Sequence, residues 1–238
     1  MDRKMTANVL IASLLLSAGA YAEGDEAAKG VEKNTFLTEN GNTVEVVKRV
    51  HENDDGDKYG KAAYRVTDEN GDVIARGAGK GYETAEGEKG GKHVRERTNA
   101  DGETIQVRSR GRTDGQGNAQ GQRQWRTTDA DGDVIARGGA RGYKTEDGAK
   151  GGKQYRERTN ADGETVQARR RAQTDGQGNA RAQRQYRKQD ADGNVVARGS
   201  DRARKNADGD RSRVSKRARQ NPNGSRASQT RRVHRRGS

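Results

Sequence analysis

Cysteine is absent from the 238 residues, and proline, phenylalanine and tryptophan occur once each. Without cysteine there are no disulfide staples and no thiol chemistry. Only 27% of the residues are hydrophobic, whereas ordinary globular domains carry about 45–50% apolar residues. That shortage excludes a large dry core, because burial must offset the entropy of ordering the chain. A largely disordered polycation is therefore one reading of the composition. The histidines are also few: His51, His93 and His234 fall in no metal-ligand spacing. No nucleophile elbow surrounds a serine, and the carboxylates cluster in turn-like stretches. A catalytic site needs a rigid, water-excluding pocket, so no enzyme and no cofactor are expected.

Long apolar runs are equally scarce. The only one covers Val9 to Leu16, preceded by Arg3 and Lys4 and followed by Ala20 and Ala22 in an A-x-A pattern. This is the layout of a cleaved signal peptide over 1–22, and it falls short of the roughly 20 apolar residues a membrane span requires. No cysteine follows it to carry a lipid. The expectation is export to the periplasm or exterior of a Gram-negative bacterium, with no membrane span after signal removal.

What the chain has in excess is glycine, charge and repetition. The segment "VTDENGDVIARG" (66–77) returns as "TTDADGDVIARG" (127–138) and "KQDADGNVVARG" (188–199). Gly71, Gly132 and Gly193 are 61 residues apart, as are Gly41, Gly102 and Gly163, and Gly56, Gly117 and Gly178. Between these the turn glycines fall 15 or 16 apart, so the small repeat is about 15 residues, and pairs of about 30 double again.

In "VRERTNADGETIQVR" two runs rich in Thr, Val and Ile flank "ADG", a hairpin signal. Each repeat is expected to fold back as a hairpin around a type I turn closed by left-handed glycine. The Asp or Asn before that glycine is expected to bond the local backbone. "GRTDGQGNAQGQ" and "TAEGEKGGK" read as looser, wider turns. Counting outward from each turn sets Thr128 opposite Val134, Thr127 opposite Ile135 and Trp125 opposite Arg137. The same count sets Tyr64 opposite Arg76, Val94 opposite Arg108, Tyr155 opposite Arg169, and Tyr186 opposite Arg198. Each aromatic–Arg pair adds about 0.5–1 kcal/mol at an exposed site.

The fold class is thus an all-β repeat, an antiparallel β-hairpin meander or β-solenoid with units of about 15 residues. The expected layout is a signal at 1–22, a polar lead at 23–34, the repeat array at 35–207, and a basic, disordered tail at 208–238. The layout aromatic-x-x-x-D-x-D-G-x-apolar resembles in outline the hairpin repeats of bacterial choline-binding and YD-repeat proteins. The repeat here is shorter and lacks the aromatic cages and the Tyr-Asp pair, so no family and no function are carried over.

Charge sorts the functional readings. The net is +13, and it is graded. Residues 23–100 hold 17 acidic and 13 basic side chains, a net of −4; 101–198 hold 14 and 20, a net of +6; 199–238 hold 3 and 13, a net of +10. Such asymmetry points to an anionic polymer as partner. The cations expected to hold it are Arg169, Arg170 and Arg171, then Arg211, Arg213, Lys216, Arg217, Arg219, Arg231, Arg232, Arg235 and Arg236. Arginine suits phosphate, sulfate and carboxylate through its planar fork. No motif reads bases, so no sequence-specific nucleic acid is expected. The resulting function is an exported structural or adhesive protein that binds lipopolysaccharide, anionic polysaccharide or extracellular DNA. The second reading is a calcium-responsive module, since "NDDGD" and "DADGD" resemble pieces of calcium loops. A loop with Gly132 at position 6 nevertheless has Thr127 at 1 and Gly138 at 12, where acidic ligands belong.

Overall fold

The computed structural model describes residues 31–220 and 224–237. The expected signal peptide at 1–22 and most of the expected polar lead lie outside the described residues, as does Pro222. Fourteen strands account for most of what is described. The first seven are β1 (Val31–Leu37), β2 (Thr43–Glu52), β3 (Lys58–Thr67), β4 (Val73–Glu83), β5 (Lys89–Thr98), β6 (Thr104–Thr113) and β7 (Ala119–Thr128). The others are β8 (Val134–Lys144), β9 (Lys150–Thr159), β10 (Thr165–Thr174), β11 (Ala180–Gln189), β12 (Val195–Lys205), β13 (Arg211–Gln220) and β14 (Arg226–Arg235). The strand order is β1 to β14 without a crossover, so the all-β repeat takes the form of an antiparallel meander. The disordered alternative does not describe these residues. The chain divides into two compact units, Met1–Arg95 and Glu96–Ser238, with the division inside β5.

Each 15-residue repeat supplies one strand and one turn, so a hairpin takes two repeats rather than one. The turn geometry is uniform. At 129–133 the Asp129 N–H donates to the Asp133 carbonyl at 3.0 Å, and the Gly132 N–H donates to the Asp129 carbonyl at 3.2 Å. Gly132 has a φ of 90°, the left-handed residue that closes a type I turn into a hairpin. The side chain that caps the turn is not the one before the glycine but the one three before it. Asp129 Oδ1 accepts the Asp133 N–H at 2.8 Å. Asn53, Asp68, Asn99 and Asn160 accept in the same way, and Thr38 and Thr84 accept through their hydroxyls. The turns expected to be wider are not. Asp114 donates to Asn118 at 3.1 Å and Thr84 to Glu88 at 2.8 Å, across the same five residues. The "TDGQGN" turns keep that closing bond, but the Gln116 and Gln177 N–H groups donate to Asp114 Oδ1 and Asp175 Oδ1, and each turn carries two glycines at positive φ, Gly115 and Gly117 in the first copy.

Turns also bond to one another. Asp57 Oδ1 accepts the Ala85 N–H, Asn118 Oδ1 the Glu146 N–H and Asn179 Oδ1 the Ala207 N–H, each at 3.0 Å. These three acceptors are 61 residues apart, in step with the long period. Turns ending in Asp57, Asn118 or Asn179 reach a later turn through that residue, and Asp210 Oδ1 likewise accepts the Gly237 N–H at 2.9 Å.

The expected register holds in one kind of hairpin and fails in the other. Tyr155 pairs with Arg169 across β9 and β10, and the guanidinium lies 5.7 Å from the ring centroid. In the hairpins β3–β4, β7–β8 and β11–β12 a β-bulge shifts the pairing by one. The extra residues are Ile74, Ile135 and Val196. Thr127 therefore faces Ala136, Trp125 faces Gly138, Tyr64 faces Gly77 and Tyr186 faces Gly199. The rings lie on those glycines instead of on arginine. A methyl group at Gly138 would stand 2.7 Å from the Trp125 ring and 2.6 Å from the Tyr155 carbonyl oxygen. Gly77 and Gly199 are blocked in the same way by Tyr64 and Tyr186.

Packing is correspondingly thin. Val107, 2% exposed, sits opposite Trp125, and Val44, 6% exposed, lies between Phe36 and Val66; these two are the only buried hydrophobic residues among those described. Thr98–Thr104 and Thr159–Thr165 hydroxyl contacts of 3.1 Å add cross-strand support, of a kind worth about 0.2–1 kcal/mol each. The C-terminal segment departs from expectation. Instead of a disordered tail, 208–238 contains β13 and β14, paired from Arg211–Arg235 to Gln220–Arg226. Its valines and isoleucines have faded, but the ladder is made by backbone groups, Gly209 still closes a turn, and Gly224 keeps a positive φ. The array also starts earlier than residue 35, at Val31.

Two outcomes follow from the turns and the ring–glycine contacts. Gly132→Ala meets no atom within 4 Å, so its cost is only the strain of a Cβ at positive φ, about 1 kcal/mol. Gly138→Ala forces the Trp125 ring aside and is expected to cost more, about 1–3 kcal/mol. Urea midpoints that rank the two the other way would overturn the packing role given to Trp125. The Asn118 and Asn179 side-chain amides, assisted by backbone N–H groups, hold Asp114 and Asp175 below the ordinary carboxyl value of 3.8. The stability these carboxylates contribute is complete above that value and is lost as pH falls through their lower folded values. Asp114→Asn with Asp175→Asn keeps the cap, as Asn99 and Asn160 do. The double variant should flatten the acid limb of urea midpoint against pH, and an unchanged limb would contradict this.

Candidate polyanion-binding surface

Because side chains alternate along a strand, pairing register assigns every residue of β6–β14 to one of two faces. The first is an Arg/Gln face. Arg108 and Arg110 stand opposite Gln124 and Gln122, and Arg169 and Arg171 opposite Gln185 and Gln183. Arg110 donates to Gln122 Oε1 from Nε at 3.1 Å and Nη2 at 2.8 Å, and Arg126 to Gln106 Oε1 at 2.9 Å. Arg141 pairs with Lys153, which pairs with Arg171. No acid lies opposite these three, and like charges at paired positions lower stability.

Glu157 is the single acid on the strand residues of this face, and it is already engaged. Tyr155 donates its hydroxyl to it, Arg137 Nε donates at 2.6 Å and Gln167 Nε2 at 2.8 Å. The Tyr155 hydroxyl foremost, and then Arg137, hold the Glu157 carboxyl below its usual range. An open groove of about 720 Å³ runs over this face, with Arg108, Arg141, Lys153, Arg169 and Arg171 in its lining.

The opposite face has a different floor. Gly111, Gly121, Gly142, Gly152, Ala172, Ala182 and Ala203 pair in succession from β6 to β12. Seven adjacent strands thus carry nothing larger than a methyl group along one row. Cations flank the row, with Lys144, Lys150, Lys205 and Arg211 on one side and Arg123, Arg170, Arg184 and Arg231 on the other. Over β8–β14 this forms a trough of about 1120 Å³, lined by Gly152, Ala172, Ala182 and Ala203 and by Lys150, Arg211, Arg213, Arg217, Arg231 and Arg235. The one acid on the strand residues of this face, Asp201, lies 3.5 Å from Arg213. A hydrogen bond from Ser215, then the Arg213 charge, lowers its carboxyl value.

The residues expected from sequence are therefore divided. The trough face gathers Arg170, Arg211, Arg213, Arg217, Arg219, Arg231 and Arg235. The Arg/Gln face receives Arg169, Arg171, Lys216 and Arg232. Arg236 follows the end of β14. The run Arg169–Arg171 is split because consecutive strand residues point to opposite faces. Sequence reasoning missed Arg141 and Lys153 on one face and Lys144, Lys150 and Lys205 on the other. These are single cations, one or two per strand, rather than a cluster, and counting by twos from each turn glycine, with the bulges allowed for, was the signal that locates them.

Among the described residues no His, Asp and Glu side chains are grouped to hold a metal ion, and no helix is long and apolar enough to cross a membrane. Comparison with protein-family models, curated proteins and solved structures finds no match for the chain.

Opposed cations have a measurable consequence. Raising salt from about 10 mM to about 150 mM shortens the Debye length from about 30 Å to about 8 Å. The thermal unfolding midpoint should rise over that range. A midpoint that stays level or falls would show that the paired cations do not repel.

Proposed function

We propose that the protein is an exported, non-enzymatic structural or adhesive component of the cell envelope or extracellular matrix that binds anionic polymers through residues 96–238. The observation that carries this reading is the trough, with its floor of glycine and alanine and its walls of arginine and lysine. The floor lets a polymer backbone approach the sheet closely. The walls supply guanidinium forks, which pair with carboxylate, sulfate or phosphate oxygens two at a time. The acid of this face is matched by Arg213 and Ser215, so the flanking cations keep their charge for a partner. Binding is driven by release of the polymer's counterions, which makes it steeply salt-dependent. The same reading is favoured over a calcium-responsive module by the turn carboxylates. Those that lead the turns, such as Asp129 and Asp68, accept backbone N–H bonds, which accounts for them without an ion.

The test is binding of the mature protein to heparin, a sulfated polysaccharide, over a series of salt concentrations. Affinity should fall as a straight line of log K against log salt. Arg211→Gln with Arg217→Gln and Arg231→Gln removes three contacts and should make that slope shallower by about 2. Salt-independent binding, or a slope the triple variant leaves unchanged, would refute the reading.

A further inference from the structure

We infer that β6–β14 is bivalent: its Arg/Gln face is a second, independent surface for an anionic polysaccharide, so that one molecule bridges two polymer chains. This rests on the polyanion reading of the trough face and extends it to the opposite side.

The first ground is the register. Arg110, Arg141, Arg171, Arg202 and Arg232 lie on one continuous cross-strand row, on β6, β8, β10, β12 and β14. Paired strands are about 4.8 Å apart, so arginines on every second strand recur at about 9.6 Å. The row crosses the strands, and a polymer that follows it lies along the repeat direction rather than along any one strand.

The second ground is electrostatic. Arg141, Lys153 and Arg171 are directly paired cations with no acid between them, and a bound polyanion removes the repulsion that the free sheet carries. The third is separation. Alternation gives each cation to one face only, so the Arg/Gln row and the trough share no side chain, and a backbone layer lies between them.

The intervening residues indicate the class of polymer. Gln122 and Gln183 stand between the arginines of the row, and their amides both donate and accept, as sugar hydroxyls require. Single-stranded nucleic acid needs a succession of rings on which bases stack. The rings on this face are Tyr143, which lies against Gly151, Tyr155, which already carries Arg169, and His234 on β14, opposite Ser212. They form no series along the row. The geometry therefore favours a hydroxyl-rich anionic chain over DNA or RNA.

The experiment uses the full mature chain with two probes, a short heparin oligosaccharide for stoichiometry and long heparin for bridging. Calorimetry should give two oligosaccharides per protein, and long heparin should yield turbid, cross-linked assemblies. Arg141→Gln with Lys153→Gln and Arg171→Gln should reduce the stoichiometry to one and abolish turbidity while binding persists. Arg211→Gln with Arg217→Gln and Arg231→Gln, an equal loss of charge on the other face, should do the same. Circular dichroism checks that each variant keeps its strands. A wild-type stoichiometry of one with all binding lost in the Arg211, Arg217 and Arg231 variant overturns the second surface and leaves the first intact, whereas loss of all binding in the Arg141, Lys153 and Arg171 variant overturns the trough and the bivalence with it. Absence of heparin binding at any salt sinks both. A single-stranded DNA oligonucleotide of matched charge that binds the Arg/Gln face more tightly than the oligosaccharide overturns the choice of polymer.

Discussion

The structure depends on hydrogen bonding of the backbone to itself, strand to strand and across each turn. Nothing else in the chain is strong enough. Buried apolar surface ordinarily dominates folding, and here Val44 and Val107 are the buried hydrophobic residues among those described. The ladder must therefore be started and kept in register by local chemistry. Most of the five-residue turns do this with three bonds, two between backbone groups and one in which the N–H that closes the loop donates to the capping side chain. A turn that satisfies its own polar groups positions both strands it joins, which is why the same few residues recur at every one.

Repetition then supplies what single hairpins lack. An isolated hairpin is marginal in water, but each strand between β2 and β13 has a neighbour on either side. The turns on one edge are linked through Asp57, Asn118 and Asn179. Aromatic residues are used to cover glycines rather than to fill a core. Trp125 on Gly138 and Tyr186 on Gly199 compensate the residue least suited to a strand interior. The bulges at Ile135 and Val196 make this possible, since they move the ring from arginine onto glycine.

A sheet stabilised in this way does not need either face as a core. In β6–β14 both faces remain open to solvent, and both carry cations with a single matched acid apiece, Glu157 on one and Asp201 on the other. The charge does little for stability, because paired like charges oppose the fold. On the function proposed above, its distribution serves binding, with an anionic polymer contributing the charge that the protein omits.

The sequence by itself determined the element type, the repeat length and the turn positions. Those properties are local: a left-handed glycine, an Asx or Thr cap three residues earlier, and ten residues between turns. The net charge and its gradient were equally legible, since composition needs no geometry. The faces were not. Ile74, Ile135 and Val196 look like any other strand residue, yet each is an extra residue that shifts the register by one, and in a structure of period two that exchanges the faces of everything beyond it. The strands in 208–238 were hidden for a related reason, because their apolar markers had faded while the backbone pairing, which does not depend on them, remained. Which arginines stand together, and what floor lies between them, was decided only when the strands paired.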